Sequence, residues 1–165
     1  MKTLYLVRHA KSSWKDASLD DIDRPLNKRG LRDAPFMGKL LKGRGVEPDR
    51  LLSSPANRAL STARFFAAAL DYPKEDIEVM EDIYEADSSE IFRVIRNLDD
   101  AWSTVLLFGH NPTFTTVANR FGDEYIANVA TCGVIRVEAD VASWREFSEK
   151  SGELTAYYYP GQYFT

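Results

Sequence analysis

The chain contains only two histidines, His9 and His110, and each stands at the end of an apolar, strand-forming run. Leu4-Tyr5-Leu6-Val7 leads into Arg8 and His9, and Val105-Leu106-Leu107-Phe108 leads into Gly109 and His110. A neutral imidazole offers a nucleophilic nitrogen near pH 7, and a guanidinium offers a planar fork of donors that matches two oxygens of a phosphoryl group. An arginine beside a histidine at a strand end therefore suits phosphoryl chemistry. A second arginine, Arg58, lies three residues beyond Pro55 in Ser54-Pro55-Ala56-Asn57-Arg58, and Asn111-Pro112 follows His110. Both segments read as helix starts, with the polar residue as cap and proline at the first helical position. Helix starts expose unpaired backbone N–H groups and the positive end of the helix dipole, which favour an anion. Ser12 or Ser13 and Asn111 are further candidate contacts to such an anion.

These residues meet only if their elements share an edge. Short strand-like runs at 4–7, 51–52, 77–80 and 105–108 alternate with helical patterns at 31–41, 56–70, 89–98 and 112–121, which predicts an α/β domain with a mostly parallel sheet and helices on both faces. Gly133 to Val137 and Leu154 to Tyr159 read as two more strands, paired as a hairpin around Ser143 to Gly152. In open α/β sheets, ligands bind beyond the carboxyl ends of the strands, and that is where both histidines are delivered. The Asp-rich stretch Asp16 to Asp23 reads as a surface loop; magnesium held by Asp20, Asp21 and Asp23 is the less favoured alternative.

Length and composition narrow the field. At 165 residues the chain fits one domain, and 44% hydrophobic with 28% charged residues is ordinary for a globular protein. A net charge of −4 leaves no basic surplus for a nucleic-acid backbone. No apolar run reaches membrane-spanning length, and Arg8 and His9 interrupt the N-terminal one too early for a signal peptide. The expectation is a cytoplasmic protein with neither nucleic acid nor membrane as partner. The single Cys132 cannot pair internally and is expected as a small buried residue in a strand. Two histidines with no paired acidic motif make a poor metal site, so no metal or other cofactor is expected. The C-terminal aromatics Tyr157, Tyr158, Tyr159, Tyr163 and Phe164 read as strand residues and a packed tail, and Trp14 as either a pocket-mouth or a core-covering residue.

Three ordered segments, Leu4 to Trp14, Ser53 to Ala59 and Gly109 to Pro112, together with Arg24-Pro25-Leu26-Asn27-Lys28-Arg29-Gly30, resemble the histidine phosphatase (phosphoglycerate mutase-like) superfamily, in particular its small SixA-type phosphohistidine phosphatase branch. The resemblance implies a three-layer phosphoglycerate mutase-like fold spanning 1–165 without a large cap insertion. It makes His9 the phosphate-accepting nucleophile, Arg8 and Arg58 the clamps, and His110 the second histidine contacting the phosphoryl oxygens. It also points to Glu85 as the carboxylate that would protonate a leaving group. Ala10 stands where the superfamily usually has glycine, the smallest departure available.

The function so implied is a metal-independent phosphatase acting on phosphohistidine in a protein. A phosphatase for small phosphorylated metabolites is one alternative, and a non-catalytic phosphate- or phosphoprotein-binding module is another. Retention of both histidines and both arginines favours catalysis over binding. The short stretch between Ser54 and His110 leaves little room for a substrate-enclosing cap, which disfavours a mutase that must retain its intermediate.

Overall fold

The computed structural model describes residues 1–164. In chain order the elements are β1 (Lys2–Arg8), α1 (Lys28–Gly43), β2 (Arg50–Ser53), α2 (Asn57–Ala69), β3 (Glu78–Val79), α3 (Ser88–Arg96), β4 (Thr104–Gly109), α4 (Thr113–Asn119), β5 (Val134–Ala139) and β6 (Gly152–Tyr158), with short 3-10 turns between them. The strands form one six-stranded sheet in the order β3-β2-β4-β1-β5-β6. The pairs β1–β4, β2–β4 and β2–β3 are parallel, and β5 and β6 add an antiparallel hairpin beside β1. This is the expected single α/β domain with a mostly parallel sheet.

Alternation along the strands builds the layers. Successive side chains of a strand point to opposite faces. Leu4 and Leu6 of β1 join Val105 and Leu107 of β4 in a core with Ile91, Ile95, Phe114 and Val117 of α3 and α4. Tyr5 and Val7 join Leu106 and Phe108 in a second core with Met37, Leu41, Ala63 and Phe66 of α1 and α2. Phe66 and Phe108 meet edge to face at 5.2 Å, and full burial of each ring contributes roughly 1.5–3 kcal/mol. A sheet buried on both faces explains why β1 and β4 read as continuous apolar runs rather than alternating ones.

Some sequence-based bounds shift. α1 begins one turn earlier than the apolar pattern, because Asn27 caps it by accepting from the Gly30 N–H at 2.9 Å. β3 is only two residues long and exposed, so half of 77–80 is irregular. Cys132 is fully buried but lies outside the strand, in a left-handed turn with φ +58° just before β5. The C-terminal tail packs as expected, with Phe164 and Phe36 at 4.8 Å.

Neither proline-marked helix starts where the Ser-Pro and Asn-Pro pairs predict. Helix α2 begins at Asn57 and α4 at Thr113. Ser54 caps a turn ahead of α2, accepting from the Ala56 N–H at 3.2 Å. Asn111, two residues ahead of α4, accepts from the Thr115 N–H at 3.2 Å and from the Thr115 hydroxyl at 3.0 Å. Helix α4 spans a mere seven residues, which removes it as a dipole-based anion site.

Candidate active site

Because β1 and β4 are direct parallel neighbours, Arg8 lies opposite Gly109 and the following residues, His9 and His110, emerge side by side. The His9 N–H continues the ladder by donating to the Gly109 carbonyl at 3.0 Å. The two imidazole rings stand 5.3 Å apart between centroids. β2 flanks β4 on its other side, so Ser54, just past β2, reaches His110 from there.

His9 is held on several sides. Its carbonyl accepts from the Cys132 N–H at 3.0 Å, and the Ala10 N–H donates to Thr62 Oγ1 of α2 at 2.9 Å. Its Nδ1 lies 2.7 Å from the Ala10 carbonyl oxygen. A carbonyl can only accept, so Nδ1 carries the proton and the lone pair of the neutral ring is on Nε2. Burial pushes the His9 pKa down to about 3, with His110, Arg58 and Arg8 adding to the shift and the Ala10 contact opposing it. The result is a neutral imidazole with one nucleophilic nitrogen.

His110 has a matching arrangement of opposite tautomer. Its Nε2 is 2.8 Å from Ser54 Oγ, which accepts from the Ala56 N–H and, being fully buried, has His110 Nε2 as the acceptor for its own proton among the described residues. This pattern leaves the proton of neutral His110 on Nδ1, which is buried and without a partner. Burial, and then Arg58, lower the His110 pKa to about 4.

Arg8 donates from Nη1 to the Val129 carbonyl at 2.8 Å, and Arg58 donates from Nη1 and Nη2 to the Asp21 carbonyl oxygen at 2.7 Å and to Asp21 Oδ2 at 3.0 Å. The Nε atoms of both arginines are buried and unpartnered. Three donors, Arg8 Nε, Arg58 Nε and His110 Nδ1, thus remain unsatisfied on residues lining one pocket, and buried donors without partners are costly unless a ligand meets them.

Of the other candidate residues, Ser12 lies in the pocket wall and accepts from Arg24 Nη1 at 2.9 Å, keeping its hydroxyl proton available. Asn111 also reaches the wall, but its amide is committed internally: Nδ2 donates to Asn128 Oδ1 and to the Val129 carbonyl, both at 2.9 Å, and Oδ1 serves Thr115. Asn111 thus stands in the pocket wall with its amide braced by neighbouring residues. Glu85 is not brought to the pocket. It is exposed, in a left-handed turn at φ +58°, and makes no side-chain hydrogen bond among the described residues.

Sequence reasoning missed a second set. Asp21, in the stretch read as a solvated loop, accepts at Oδ1 from Arg24 Nε at 3.2 Å and at Oδ2 from the Tyr84 hydroxyl at 2.7 Å as well as from Arg58. The Tyr84 hydrogen bond, helped by Arg58 and Arg24, holds the Asp21 carboxyl at about 2, and the Tyr84 phenol is raised to about 12 in return. Trp14 is 76% exposed at the mouth, with the Arg24 guanidinium 3.5 Å from its ring centre. The arginine-proline pair at 24–25 and the pocket-mouth reading of Trp14 hinted at this cluster, but charge runs alone do not reveal which carboxylate folds back. Among the described residues no three His, Cys, Asp or Glu side chains are grouped as metal ligands, and no helix is long and apolar enough to cross a membrane.

Residues 4–91, including His9 and Arg58 with their surroundings, match the histidine phosphatase superfamily (branch 1). The chain belongs to that superfamily. An uncharacterised chloroplastic protein of Arabidopsis thaliana is 31% identical over 159 residues, covering 92% of this chain and 72% of the relative. Among solved structures, one from Agrobacterium tumefaciens assigned as the phosphohistidine phosphatase SixA superposes with a TM-score of 0.81 at 27% identity, covering 96% of this chain and 98% of the other. A second SixA-assigned structure, from Nakamurella multipartitia, gives 0.76 at 25% identity over 96% of both chains. This histidine phosphatase is accordingly a phosphatase hydrolase with the phosphoglycerate mutase-like fold.

Proposed function

We propose that this histidine phosphatase dephosphorylates phosphohistidine on a protein through a covalent intermediate on His9, without a metal ion. The observation that carries the reading is the His9 Nδ1 contact to the Ala10 carbonyl, which directs the Nε2 lone pair of a ring kept neutral by burial. In the first step His9 Nε2 attacks phosphorus, the bond from phosphorus to the substrate imidazole breaks, and the electron pair leaves with that imidazole, which departs neutral because its other nitrogen already carries a proton. The Ala10 carbonyl then stabilises the positive charge that develops on the His9 ring. Arg8, Arg58 and His110 Nδ1–H donate to the phosphoryl oxygens, and their preorganised charge performs the task a metal would perform elsewhere. In the second step water attacks the phosphorus of phospho-His9, the P–Nε2 bond breaks with its electron pair returning to Nε2, and orthophosphate leaves carrying both protons of the water.

A protein substrate is supported by the rim. Trp14, exposed at the mouth, is the type of residue that anchors protein interfaces. The chain between Ser54 and His110 is occupied by α2, β3, α3 and β4 and two 3-10 turns, so we read residues 1–165 as one domain with an open site. An imidazole leaves more readily than an alkoxide, which suits a pocket wall from which Glu85 is absent.

Brief incubation with a labelled phosphoryl donor is expected to give an acid-labile, base-stable phosphoprotein, lost together with turnover in His9→Ala. Label that persists in this variant would overturn the nucleophile. Activity should survive excess chelator. Comparison of kcat/KM for a phosphohistidine-bearing protein with that for small phosphomonoesters tests the substrate class, and an ester favoured by a factor of ~10, or ~1.4 kcal/mol, overturns the protein reading.

A further inference from the structure

The pocket carries one acidic side chain, Asp21, among its cations, and that side chain is far more exposed than the nucleophile. His9 forms the floor, 8% exposed, whereas the Asp21 side chain is 48% exposed and reaches the wall from a loop. In-line displacement puts the leaving group opposite the nucleophile, so a phosphoryl group attacked from the floor projects its leaving group toward the mouth. Asp21 is fixed in the pocket wall by three donors, Arg24, Arg58 and Tyr84, with the Tyr84 ring 5.7 Å from that of His110. Arg24 leaves Oδ1 with an unfilled lone-pair direction.

We infer that Asp21 is a specificity-determining residue, a fixed negative charge beside the phosphate clamp that selects against substrates whose leaving group carries a carboxylate or second phosphate and admits neutral or cationic ones such as imidazole. The inference rests on the proposed phosphoryl transfer at His9. Two effects of Asp21 must be separated. It orients the Arg58 guanidinium, which affects every substrate alike, and it repels an anionic leaving group, which affects only some. Arginines and lysines around a pocket would by themselves draw in polyanionic metabolites indiscriminately. A carboxylate among them rejects such substrates by like-charge opposition, without weakening the Nε donors meant for the phosphoryl group.

A matched pair of esters isolates the second effect. 2-Phosphoglycolate and its primary amide differ in one negative charge and scarcely in shape. Wild-type enzyme should favour the amide in kcat/KM, and Asp21→Asn should shrink that preference on the order of fivefold, as expected for removal of one charge at close range in a partly solvated site. Asp21→Glu, which keeps the charge, should retain most of the preference, and Tyr84→Phe, which leaves Asp21 in place, should retain it too. A preference that stays within about twofold of wild type in Asp21→Asn, with both esters slowed alike, overturns the inference and leaves Asp21 as a positioning residue for Arg58 alone. Where turnover in Asp21→Asn is too slow to measure, calorimetric affinities of both esters for His9→Ala and for His9→Ala with Asp21→Asn give the same ratio and decide between the same two outcomes. The protein-against-metabolite comparison reads the natural substrate separately, so failure of that reading leaves the ester ratio intact, and the converse also holds.

Discussion

The imidazole rings of His9 and His110 stand 5.3 Å apart at the ends of two adjacent parallel strands, both neutral and both facing arginine. In the unfolded chain each ring protonates near 6.5, whereas burial brings His9 to about 3 and His110 to about 4 in the fold. Between those values the unfolded chain binds protons that the folded chain does not, so stability is complete above about pH 7 and is lost as the pH falls from 6.5 toward 4. Each ring contributes a slope of at most about 1.4 kcal/mol per pH unit. Urea midpoints should therefore fall between pH 7.5 and 5, and His110→Gln should flatten the dependence. Orthophosphate should flatten it as well, because an anion beside the rings favours their protonation. An identical slope in wild type and variant would show that His110 is not the buried neutral group described.

Ser54 is fully buried and offers Oγ to His110 Nε2 at 2.8 Å. Its removal leaves the ring free to adopt the other tautomer and to rotate, while the pocket arginines stay in place. Ser54→Ala is expected to lower kcat by about tenfold, the equivalent of one hydrogen bond of about 1–1.5 kcal/mol, with KM changed much less. A rise in KM at constant kcat would instead place Ser54 in substrate binding.

Much of this arrangement was legible in the chain because it is local: an apolar run of strand formers ending in Arg8-His9, and another ending in Gly109-His110, fix two strand ends whatever the rest does. The sheet order then makes them neighbours, and the antiparallel hairpin of β5 and β6 was readable from its spacing. What could not be read depends on contacts distant in sequence. Asp21 acquires its partners from Arg58 and Tyr84, 37 and 63 residues away. Ser54 and Asn111 satisfied the local rules for caps, yet tertiary hydrogen bonds to His110, Asn128 and Val129 decided what they do. Cys132 looked like a strand residue because the apolar run of β5 begins two residues on, but its backbone turns left-handed and its N–H donates to the His9 carbonyl.

Gly30, in the first turn of α1, touches the loop that follows His9. The Asn27 N–H donates to the Lys11 carbonyl at 2.9 Å, and a methyl group on Gly30 would collide with that same carbonyl oxygen. The obstacle is backbone, not a side chain that can swing away. Gly30→Ala should therefore destabilise the fold by about 1–3 kcal/mol despite the better helix propensity of alanine. It should also reduce phosphatase activity by displacing Ala10 and the carbonyl that fixes the His9 tautomer. Thermal melting and kcat measured together check this, and a Gly30→Ala protein as stable and active as wild type would refute the close packing.

Glu85 provides the test of whether a carboxylate protonates the leaving group. It is exposed and absent from the pocket wall, and its backbone at φ +58° belongs to the turn that leads into the Asp87 cap of α3. A general acid must reach the departing atom directly or through one water, and its loss harms poor leaving groups far more than good ones. From its position Glu85→Gln should change kcat/KM by less than about twofold for an alkyl phosphate, an aryl phosphate and a phosphohistidine peptide alike, since surface substitutions away from a site have small effects. Glu85→Gly should, if anything, raise stability by a few tenths of a kcal/mol to about 1 kcal/mol, because glycine adopts the left-handed conformation without steric cost. If Glu85→Gln instead slows the alkyl ester by about tenfold or more while sparing the aryl ester, the carboxylate swings into the pocket during turnover and the acid role that the family resemblance implies is restored.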